Sequence, residues 1–346
     1  MPRHKREPGL LPRPLAVLAA LALAAGTAAV VRLLPADATA PRGPAAAQPP
    51  AAPPEVPEAE PSAAFVAFVD TAREPTFDLP GQARRTGVRW YTLGHLVAGG
   101  DGCSPKWSSP LDLAGSATPA RTASLLDPGR NPVANRIGRL RAMGGDAAPV
   151  FGGPDGPELA ATCTRPGGLA AAYRRVVGAF GAGAVDFEVR DSADRAAVLR
   201  RARAIHAVQR ERRLRVSFTL PLRRGGLAAA DAAMLRATHE AGADVGTVNL
   251  LAPVEPRSTR GGRLGLLAES VRAAAAQVAR AQGLTEPGEV WPRLALTPVL
   301  ADAGDLSERD ARTLAGYAAR HGLAWLSLRG VTPKPDVSRI LWRSPA

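Results

Sequence analysis

The sequence has few cysteines, few lysines and few aromatic residues, and it lacks the motifs of nucleotide binding. Two cysteines and three lysines occur in 346 residues, and aromatic residues make up 4% of the chain. Because lysine is scarce beside abundant arginine, the arginine count partly reflects a compositional bias and says little about function by itself. No glycine-rich phosphate loop opens a predicted helix, since "FGGPDG" at 151–156 has the wrong spacing for a nucleotide fingerprint. This absence argues against a doubly wound, nucleotide-binding sheet.

Basic residues outnumber acidic ones, 44 to 31, which gives the chain a formal net charge of +13. A basic surface favours anionic partners such as wall polymers, lipid headgroups, acidic glycans or nucleic acid. No nucleic-acid motif accompanies the charge, so nucleic acid is not a predicted partner, and a solvated arginine-rich surface is the alternative. His206, His239 and His321 lie on predicted helices, and His95 has no second ligand beside it. The sequence therefore predicts neither a metal site nor a cofactor.

A basic start precedes a charge-free apolar run at the N-terminus. Residues 1–13 are basic, and "LAVLAALALAAGTAAVV" follows at 15–31. A helix that spans a bilayer needs about 20 apolar residues, and the segment 14–34 reaches that length when Arg13 and Arg32 extend toward the headgroups. Positive charge before the segment places the N-terminus in the cytoplasm. The sequence thus predicts a single-pass membrane anchor after a cytoplasmic tail, with the rest of the chain outside.

A cleaved signal peptide is the alternative to the anchor, and the chain would then be secreted. Signal peptides share the basic start and the apolar middle, and "ADATA" at 36–40 offers small residues for cleavage. Pro41, directly after this site, and the length of the apolar run favour the anchor. Residues 35–62 are rich in proline and alanine, a composition that predicts a disordered, extended linker. The folded domain is accordingly predicted at 63–346.

Cys103 and Cys163 are the two cysteines of the chain. An even number of cysteines in an exported protein indicates a disulfide bond, because such bonds persist in oxidising compartments. The sequence therefore predicts a Cys103–Cys163 bridge, with two free thiols as the alternative.

Short apolar runs alternate with alanine-rich amphipathic segments from residue 63 onward. Strands alternating with helices indicate a parallel sheet, and eight strands in this length match an α/β fold of the (β/α)₈ TIM-barrel type. In such a barrel the carboxyl ends of the strands form the site. The predicted strands are 65–70, 88–97, 148–152, 184–189, 214–220, 245–251, 292–299 and 323–328. The predicted helices are 132–143, 167–180, 192–211, 228–241, 262–282 and 307–321.

The fourth predicted strand, within "GAGAVDFEVRD", carries charges at alternating positions. Because side chains alternate across a strand, Asp186, Glu188 and Arg190 share one face, with Val185 and Phe187 on the other. An internal acid–arginine network inside the barrel mouth would satisfy all three charges. Anion binding by Arg190 together with Arg329 remains open as an alternative, as does surviving catalysis.

Several stretches, taken in order, resemble bacterial chitinase-like proteins of glycoside hydrolase family 18. Together they cover roughly residues 65–330, nearly all of the predicted barrel. The stretches are "FVAFVDTAREPTFDL", "TGVRWYTLGHLVAGGDGCSPKW", "IGRLRAMGGDAAPVFGGPDGPELAATCT", "LRVSFTLPLRRGGL", "LALTPVLAD" and "DARTLAGYAARHGLAWLSL". The resemblance implies a TIM barrel and activity on β-1,4-linked N-acetylglucosamine polymers such as chitin, in which the substrate's own acetamido group acts as nucleophile.

The family motif on the fourth strand is Asp-x-Asp-x-Glu, and this sequence departs from it. The resemblance places Asp186 at the first acid, Glu188 at the second and Arg190 at the general acid. A guanidinium stays protonated near neutral pH, so it cannot give a proton to a leaving group. A relocated acid would have to be Glu188, about 6.6 Å deeper along the strand, or Asp191, which a bulge could turn inward.

Other family positions have changed as well. Pro253, Val254 and Glu255 stand where the resemblance expects a Met-Asp-Tyr run that grips the acetamido group, and Arg329 replaces the tryptophan that floors the sugar site. Val150 replaces a serine before "FGG". The combined loss predicts a chitinase-like barrel without chitinase activity.

Five residues near predicted strand ends are the candidate ligand-binding set. Trp107 follows "GCSPK" in a mouth-side loop, where it could stack on a sugar or anchor the loop. The set is Asp70, Trp107, Arg190, Glu255 and Arg329. A membrane-tethered protein that binds a chitin-like glycan, another cell-wall glycan or an anionic wall polymer is the leading hypothesis. An active hydrolase with a relocated acid, or a structural interaction protein, are the alternatives.

Overall fold

The computed structural model describes residues 64–108, 131–255, 262–286 and 288–343. The predicted basic tail, the anchor or signal segment at 14–34 and the linker at 35–62 lie outside these residues. Among the helices in the described part, none is both long and apolar enough to cross a bilayer.

Eight parallel strands close into a barrel, which confirms the predicted (β/α)₈ fold. In chain order the eight strands are followed by helices on the outside, and β1 pairs with both β2 and β9, so the ring is complete. A short strand, β3, runs antiparallel to β2, and β10 pairs with β8. The strands are β1 (Ala64–Asp70), β2 (Trp90–Ala98), β3 (Pro105–Trp107), β4 (Asp146–Gly152), β5 (Ala184–Glu188), β6 (Arg215–Pro221), β7 (Thr247–Pro253), β8 (Leu294–Leu300), β9 (Trp325–Leu326) and β10 (Arg329–Gly330).

The helices pack around the barrel, and each of the six predicted ones is present within a few residues of its expected bounds. The short α1, α3 and α9 lack a sequence prediction. The helices are α1 (Leu79–Thr86), α2 (Pro132–Arg141), α3 (Leu159–Thr162), α4 (Gly168–Phe180), α5 (Arg195–Gln209), α6 (Ala229–Glu240), α7 (Arg263–Ala281), α8 (Glu308–His321) and α9 (Pro335–Trp342).

Side-chain caps fix where several helices begin. Asn131 accepts a hydrogen bond from the backbone N–H of Ala134 at the start of α2. Asp194 accepts from two backbone N–H groups at the start of α5. Ser307 and Asp310 form a reciprocal capping box at the start of α8. These bonds satisfy donors that the first helical turn leaves unpaired.

The alternation predicted for β5 is present. Phe187 faces outward, where its ring lies 5.2 Å from the rings of Phe151 and Tyr173 and 5.6 Å from that of Phe218. These aromatic rings form part of the apolar layer between barrel and helices. The pleat therefore directs Asp186 and Glu188 into the barrel interior.

The Cys103–Cys163 disulfide predicted from the sequence is present. It joins the turn between β2 and β3 to the end of α3, and both cysteines are buried. The bond therefore ties together two segments on the mouth side of the barrel.

The ring closes through its shortest strand. Strand β9 contributes two residues, which pair with Ala64 and Phe65 of β1 and with Ala295 and Leu296 of β8. The predicted strand 323–328 is longer, because the chain leaves the pairing after β9 and returns to β8 as β10. Arg329 lies on β10, level with Val299.

Candidate functional site

Asp186 lies inside the barrel at the centre of β5 and is fully surrounded by protein. Its Oδ1 accepts a hydrogen bond of 2.5 Å from the Ser217 hydroxyl, and its Oδ2 accepts one of 2.8 Å from the Thr219 hydroxyl. Both donors lie on β6, where Ser217 is the direct partner of Asp186 in the strand register. The carboxyl group is thus held by hydroxyls, and within the described residues no ion pair includes it.

The hydroxyls belong to a polar chain that crosses four neighbouring strands. Asn249 on β7 donates to the Thr219 oxygen over 3.0 Å, and Thr297 on β8 donates to the Asn249 Oδ1 over 2.7 Å. All of these side chains are buried. Because each member of this chain has a partner, the interior holds these groups without the cost of leaving them unpaired.

Burial raises the pKa of Asp186 to about 6, against the hydrogen bonds from Ser217 and Thr219 and the charge of Arg329, which favour the ionised form. Desolvation dominates because the charged carboxylate loses its hydration inside the barrel. The folded protein therefore holds a proton at Asp186 in a pH range where the unfolded chain, with its usual value of 3.8, has released it.

Replacing Asp186 with asparagine is expected to stabilise the protein at pH 8 and to leave stability at pH 4 nearly unchanged. Because the folded pKa is the higher one, stability falls as pH rises between about 4 and 6 and stays lower above 6. A shift of about 2 units corresponds to about 3 kcal/mol, and Asp186→Asn removes this cost while keeping an acceptor for the hydroxyls. Urea unfolding of both proteins at the two pH values measures the difference. The same substitution at exposed Asp191 is the control, and equal gains at pH 4 and pH 8 would contradict the prediction.

Glu188 lies two residues further along β5 and forms the centre of an ion network. Its Oε2 lies 2.8 Å from the Nε2 of His95 and 3.4 Å from the Nη2 of Arg329, and its Oε1 lies 4.0 Å from the Nη1 of Arg190. Burial by itself raises the pKa of Glu188, but the hydrogen bond from His95 and the nearby charges of Arg329 and Arg190 outweigh it, and the net pKa is lowered. Glu188 is accordingly an ionised, buried carboxylate.

Arg329 is the buried cation of this network. Its guanidinium lies over the ring of Phe68 on β1, and its side chain is 13% exposed. Burial lowers the pKa of Arg329, while the charges of Glu188, Asp186 and Asp70 act in the opposite direction. An arginine of this kind keeps its charge because a guanidinium is the weakest acid among the cationic side chains. The Glu188 carboxylate therefore compensates a charge that solvent barely reaches.

His95 completes the network from β2. An ionised carboxylate can only accept hydrogen bonds, so the His95 Nε2 carries the proton that faces Glu188. The ring packs so closely on the backbone of Gly153 that a side chain there would collide with it. Gly153 also has a φ of +85°, which favours glycine. The "FGG" sequence after β4 thus makes room for the His95 ring.

Arg190 and Asp191 lie at the end of β5, outside the buried part of the site. The Arg190 side chain is 58% exposed, and Glu188 at 4.0 Å is its partner in the structure. Asp191 is exposed, and its Oδ1 accepts hydrogen bonds from the backbone N–H groups of Ala193 and Asp194 before α5. Asp191 is thus part of a turn that leads into a helix.

The remaining predicted ligand residues lie in different surroundings. Asp70 at the end of β1 accepts from the backbone of Ala72 and pairs with Arg73 over 3.3 Å. Glu255 after β7 pairs with Arg224 over 3.2 Å at the surface. Trp107 lies on β3, half-buried, with its ring 5.8 Å from that of Phe180. Of the predicted set, Arg190 and Arg329 meet at Glu188, and Asp70 contributes charge to Arg329.

Sequence reasoning missed His95, Ser217, Thr219 and Asn249. The sequence does contain a signal for two of them. In "VSFTL", Ser217 and Thr219 alternate with Phe218, so the two hydroxyls share one face of the strand. Within the described residues no group of three potential metal-ligating side chains comes together. What the site offers chemically is a protonatable but enclosed Asp186, an ionised Glu188 and an exposed guanidinium.

A scan against family models and a search of the curated proteins both find no match to this chain. Solved structures do match it. The catalytic domain of a hyperthermophilic chitinase from Pyrococcus furiosus is 24% identical with a TM-score of 0.66, and the match covers 81% of this chain and 93% of that one. A GH18 chitinase from Pseudoalteromonas aurantia is 10% identical with a TM-score of 0.55, and the match covers 80% of this chain and 98% of that one. The spore cortex-lytic enzyme SleL from Bacillus megaterium is 10% identical with a TM-score of 0.51, and the match covers 82% of this chain and 74% of that one. The barrel therefore has the fold of family 18 chitinases.

Proposed function

We propose that this chitinase-like barrel binds a cell-wall or chitin-like glycan at its mouth without cleaving it. One observation carries the proposal: no carboxyl group near the strand-end position of Arg190 is both protonated and exposed among the described residues. Glycoside hydrolysis needs a carboxylic acid that protonates the leaving oxygen. Arg190 cannot supply that proton, and neither Glu188 nor Asp191 is arranged to replace it.

Glu188 is unsuited because it is ionised and enclosed. Its side chain is 5% exposed, and its two oxygens face His95, Arg329 and Arg190. These partners stabilise the carboxylate and lower its pKa, whereas a general acid needs a pKa raised toward the working pH. The network thus opposes the protonation that catalysis would require.

Asp191 and Asp186 are unsuited for different reasons. Asp191 faces the backbone N–H groups that precede α5. Asp186 can hold a proton near pH 6, but both of its oxygens are bonded to hydroxyls and the group is buried four residues before Arg190 along the strand. A proton at that depth cannot reach a glycosidic oxygen at the barrel mouth.

Two kinds of observation support glycan binding. The fold is that of chitinases, and one matching structure is of catalytic-site mutants of a Pyrococcus furiosus chitinase domain complexed with chito-oligosaccharides. The carboxyl ends of barrel strands form the binding face in this fold, and here they carry charged side chains that polar ligands could contact.

We further propose that the barrel acts outside the cytoplasm, held at a membrane by the segment 14–34. The apolar run, the basic residues before it and the extended linker after it support this placement. The Cys103–Cys163 disulfide agrees with an oxidising compartment. Secretion after cleavage of that segment is the alternative.

Incubation of the full-length protein in mild detergent with chitin hexamer, from pH 4 to pH 8, is expected to yield no shortened products by mass spectrometry. Binding is tested in parallel by co-sedimentation with insoluble chitin and with peptidoglycan, and we expect retention on at least one. An active chitinase in the same detergent is the control. Products that disappear in Asp191→Asn or Glu188→Gln would overturn the proposal and establish a relocated acid.

A structural interaction protein is the second candidate, favoured by the filled centre of the mouth. His95, Glu188 and Arg329 form an ion network inside the barrel, next to the strand-end position held by Arg190, and all three are largely buried. Absence of binding to chitin, peptidoglycan and anionic wall polymer would favour this candidate over glycan binding.

A further inference from the structure

Exposed arginines gather at one side of the barrel mouth. Arg190 follows β5, and Arg223 and Arg224 follow β6, the neighbouring parallel strand. Carboxyl ends of adjacent parallel strands lie at the same rim, about 4.8 Å apart. All three side chains are exposed. This group of three, the rim arginines, forms a positively charged edge beside the proposed glycan site.

Arg190 is the rim arginine with the loosest ion pair. Glu188 is its partner at 4.0 Å, while the other oxygen of Glu188 lies 2.8 Å from His95 and 3.4 Å from Arg329. If Arg190 turned toward a ligand, Glu188 would keep its two closer partners. Arg190 can therefore exchange its contact for a new anion without leaving a buried charge unpaired, which would be strongly unfavourable.

The other rim arginines differ in their pairing. Arg224 pairs with Glu255 over 3.2 Å, with the arginine side chain 72% exposed. For the Arg223 side chain, the described part of the chain offers no hydrogen-bond or ion-pair partner. One acid thus offsets the two arginines after β6, and the edge keeps an excess of positive charge.

We propose that the mouth recognises a carboxylate carried by the sugars of its glycan, with Arg190 as the principal contact and Arg223 and Arg224 alongside. The inference rests on the proposed function and names its ligand class as an anionic glycan rather than neutral chitin. A guanidinium matches the two oxygens of a carboxylate with two parallel N–H donors. An exposed arginine can form that bond because its side chain is free to reorient.

The test compares two ligands that differ only in charge. Peptide-free peptidoglycan hexasaccharide, whose lactyl groups are carboxylates, is titrated into the full-length protein by calorimetry beside the same hexasaccharide with those groups converted to amides. We expect the acid form to bind about tenfold more tightly at low salt, the effect of one charge-assisted contact, and the ratio to fall as salt rises. Arg190→Gln is expected to abolish most of the ratio.

Arg280→Gln is the matched control, because Arg280 is exposed in the last turn of α7, and the last turns of barrel helices lie at the face opposite the carboxyl ends of the strands. It removes the same charge and should leave the ratio unchanged. Equal binding of acid and amide forms would overturn this inference while leaving the proposed function intact. Failure of both forms and of chitin hexamer to bind would contradict the proposed function itself.

Two further outcomes would overturn the inference that Arg190 recognises a sugar carboxylate. One is tighter binding of poly(glycerol phosphate) than of the acid hexasaccharide. The other is loss of the ratio in Arg223→Gln/Arg224→Gln but not in Arg190→Gln.

Discussion

Replacing Glu188 with glutamine is expected to destabilise the folded protein by about 3 kcal/mol, the scale for removing one partner of a buried ion pair. Glutamine keeps the shape of the side chain and a hydrogen-bond acceptor for His95, so the substitution isolates the charge. Arg329, 13% exposed and 3.4 Å from Glu188, then loses its nearest counter-ion. Its remaining favourable surroundings are the Phe68 ring and the more distant charges of Asp186 and Asp70. Urea unfolding at pH 7 measures the loss.

A double-mutant cycle separates the pair from its surroundings. Glu188→Gln combined with Arg329→Met should cost clearly less than the sum of the single variants, because it leaves no buried cation without a partner. The exposed pair of Glu308 and Arg312 on α8, at 2.8 Å, is the control, and Glu308→Gln should cost less than about 0.5 kcal/mol. Additive single effects, or equal losses for Glu188→Gln and Glu308→Gln, would show that the network does not stabilise the barrel.

Removing the disulfide is expected to cost about 4 kcal/mol. The bond closes a loop with a sequence separation of 60 residues, and the loop-closure relation gives about 4 kcal/mol for a loop of that length. Cys103→Ala/Cys163→Ala is the suitable variant, since both positions are buried and serine would leave unpaired hydroxyls. Unfolding in urea, with and without dithiothreitol, measures the change.

The reductant supplies the control for that experiment. Dithiothreitol should lower the stability of the natural protein toward that of the alanine variant, and it should leave the variant itself unchanged. A reduced natural protein as stable as the oxidised one would mean that the loop is held by packing alone. In that case the bond between Cys103 and Cys163 would contribute little to the fold.

The period of the apolar pattern was enough to predict the barrel, but not the ends of its elements. The helix predicted from residue 192 begins at Arg195, because Asp191 forms a turn and Asp194 supplies the cap. The strand predicted at 323–328 is reduced to β9, because pairing there depends on which neighbour the backbone meets. Such boundaries are set by tertiary contacts, which local propensity does not contain.

The sequence predicted which residues of β5 face the barrel interior, but not which residues of other strands contact them. Alternation placed Asp186 and Glu188 on the interior face, and an acid–arginine network was one interpretation of that face. The structure forms the network around Glu188 alone, with His95 and Arg329 as the close partners. Asp186 bonds to Ser217 and Thr219 instead. These partners come from strands far away in the sequence, and their register depends on closure of the whole barrel.

Closure through the two-residue strand β9 links two properties of the molecule. Local opening needs least free energy where backbone pairing is shortest, and β9 joins β8 to β1 with two residues on each side. Arg329, on β10, is held to β8 and lies over Phe68 of β1, so separation of β1 from β9 removes the Phe68 ring from its guanidinium. Opening of the ring at this point therefore also uncovers the buried Arg329 guanidinium. By mass action, any ligand that binds only the closed barrel must also lower the population in which this wall is open.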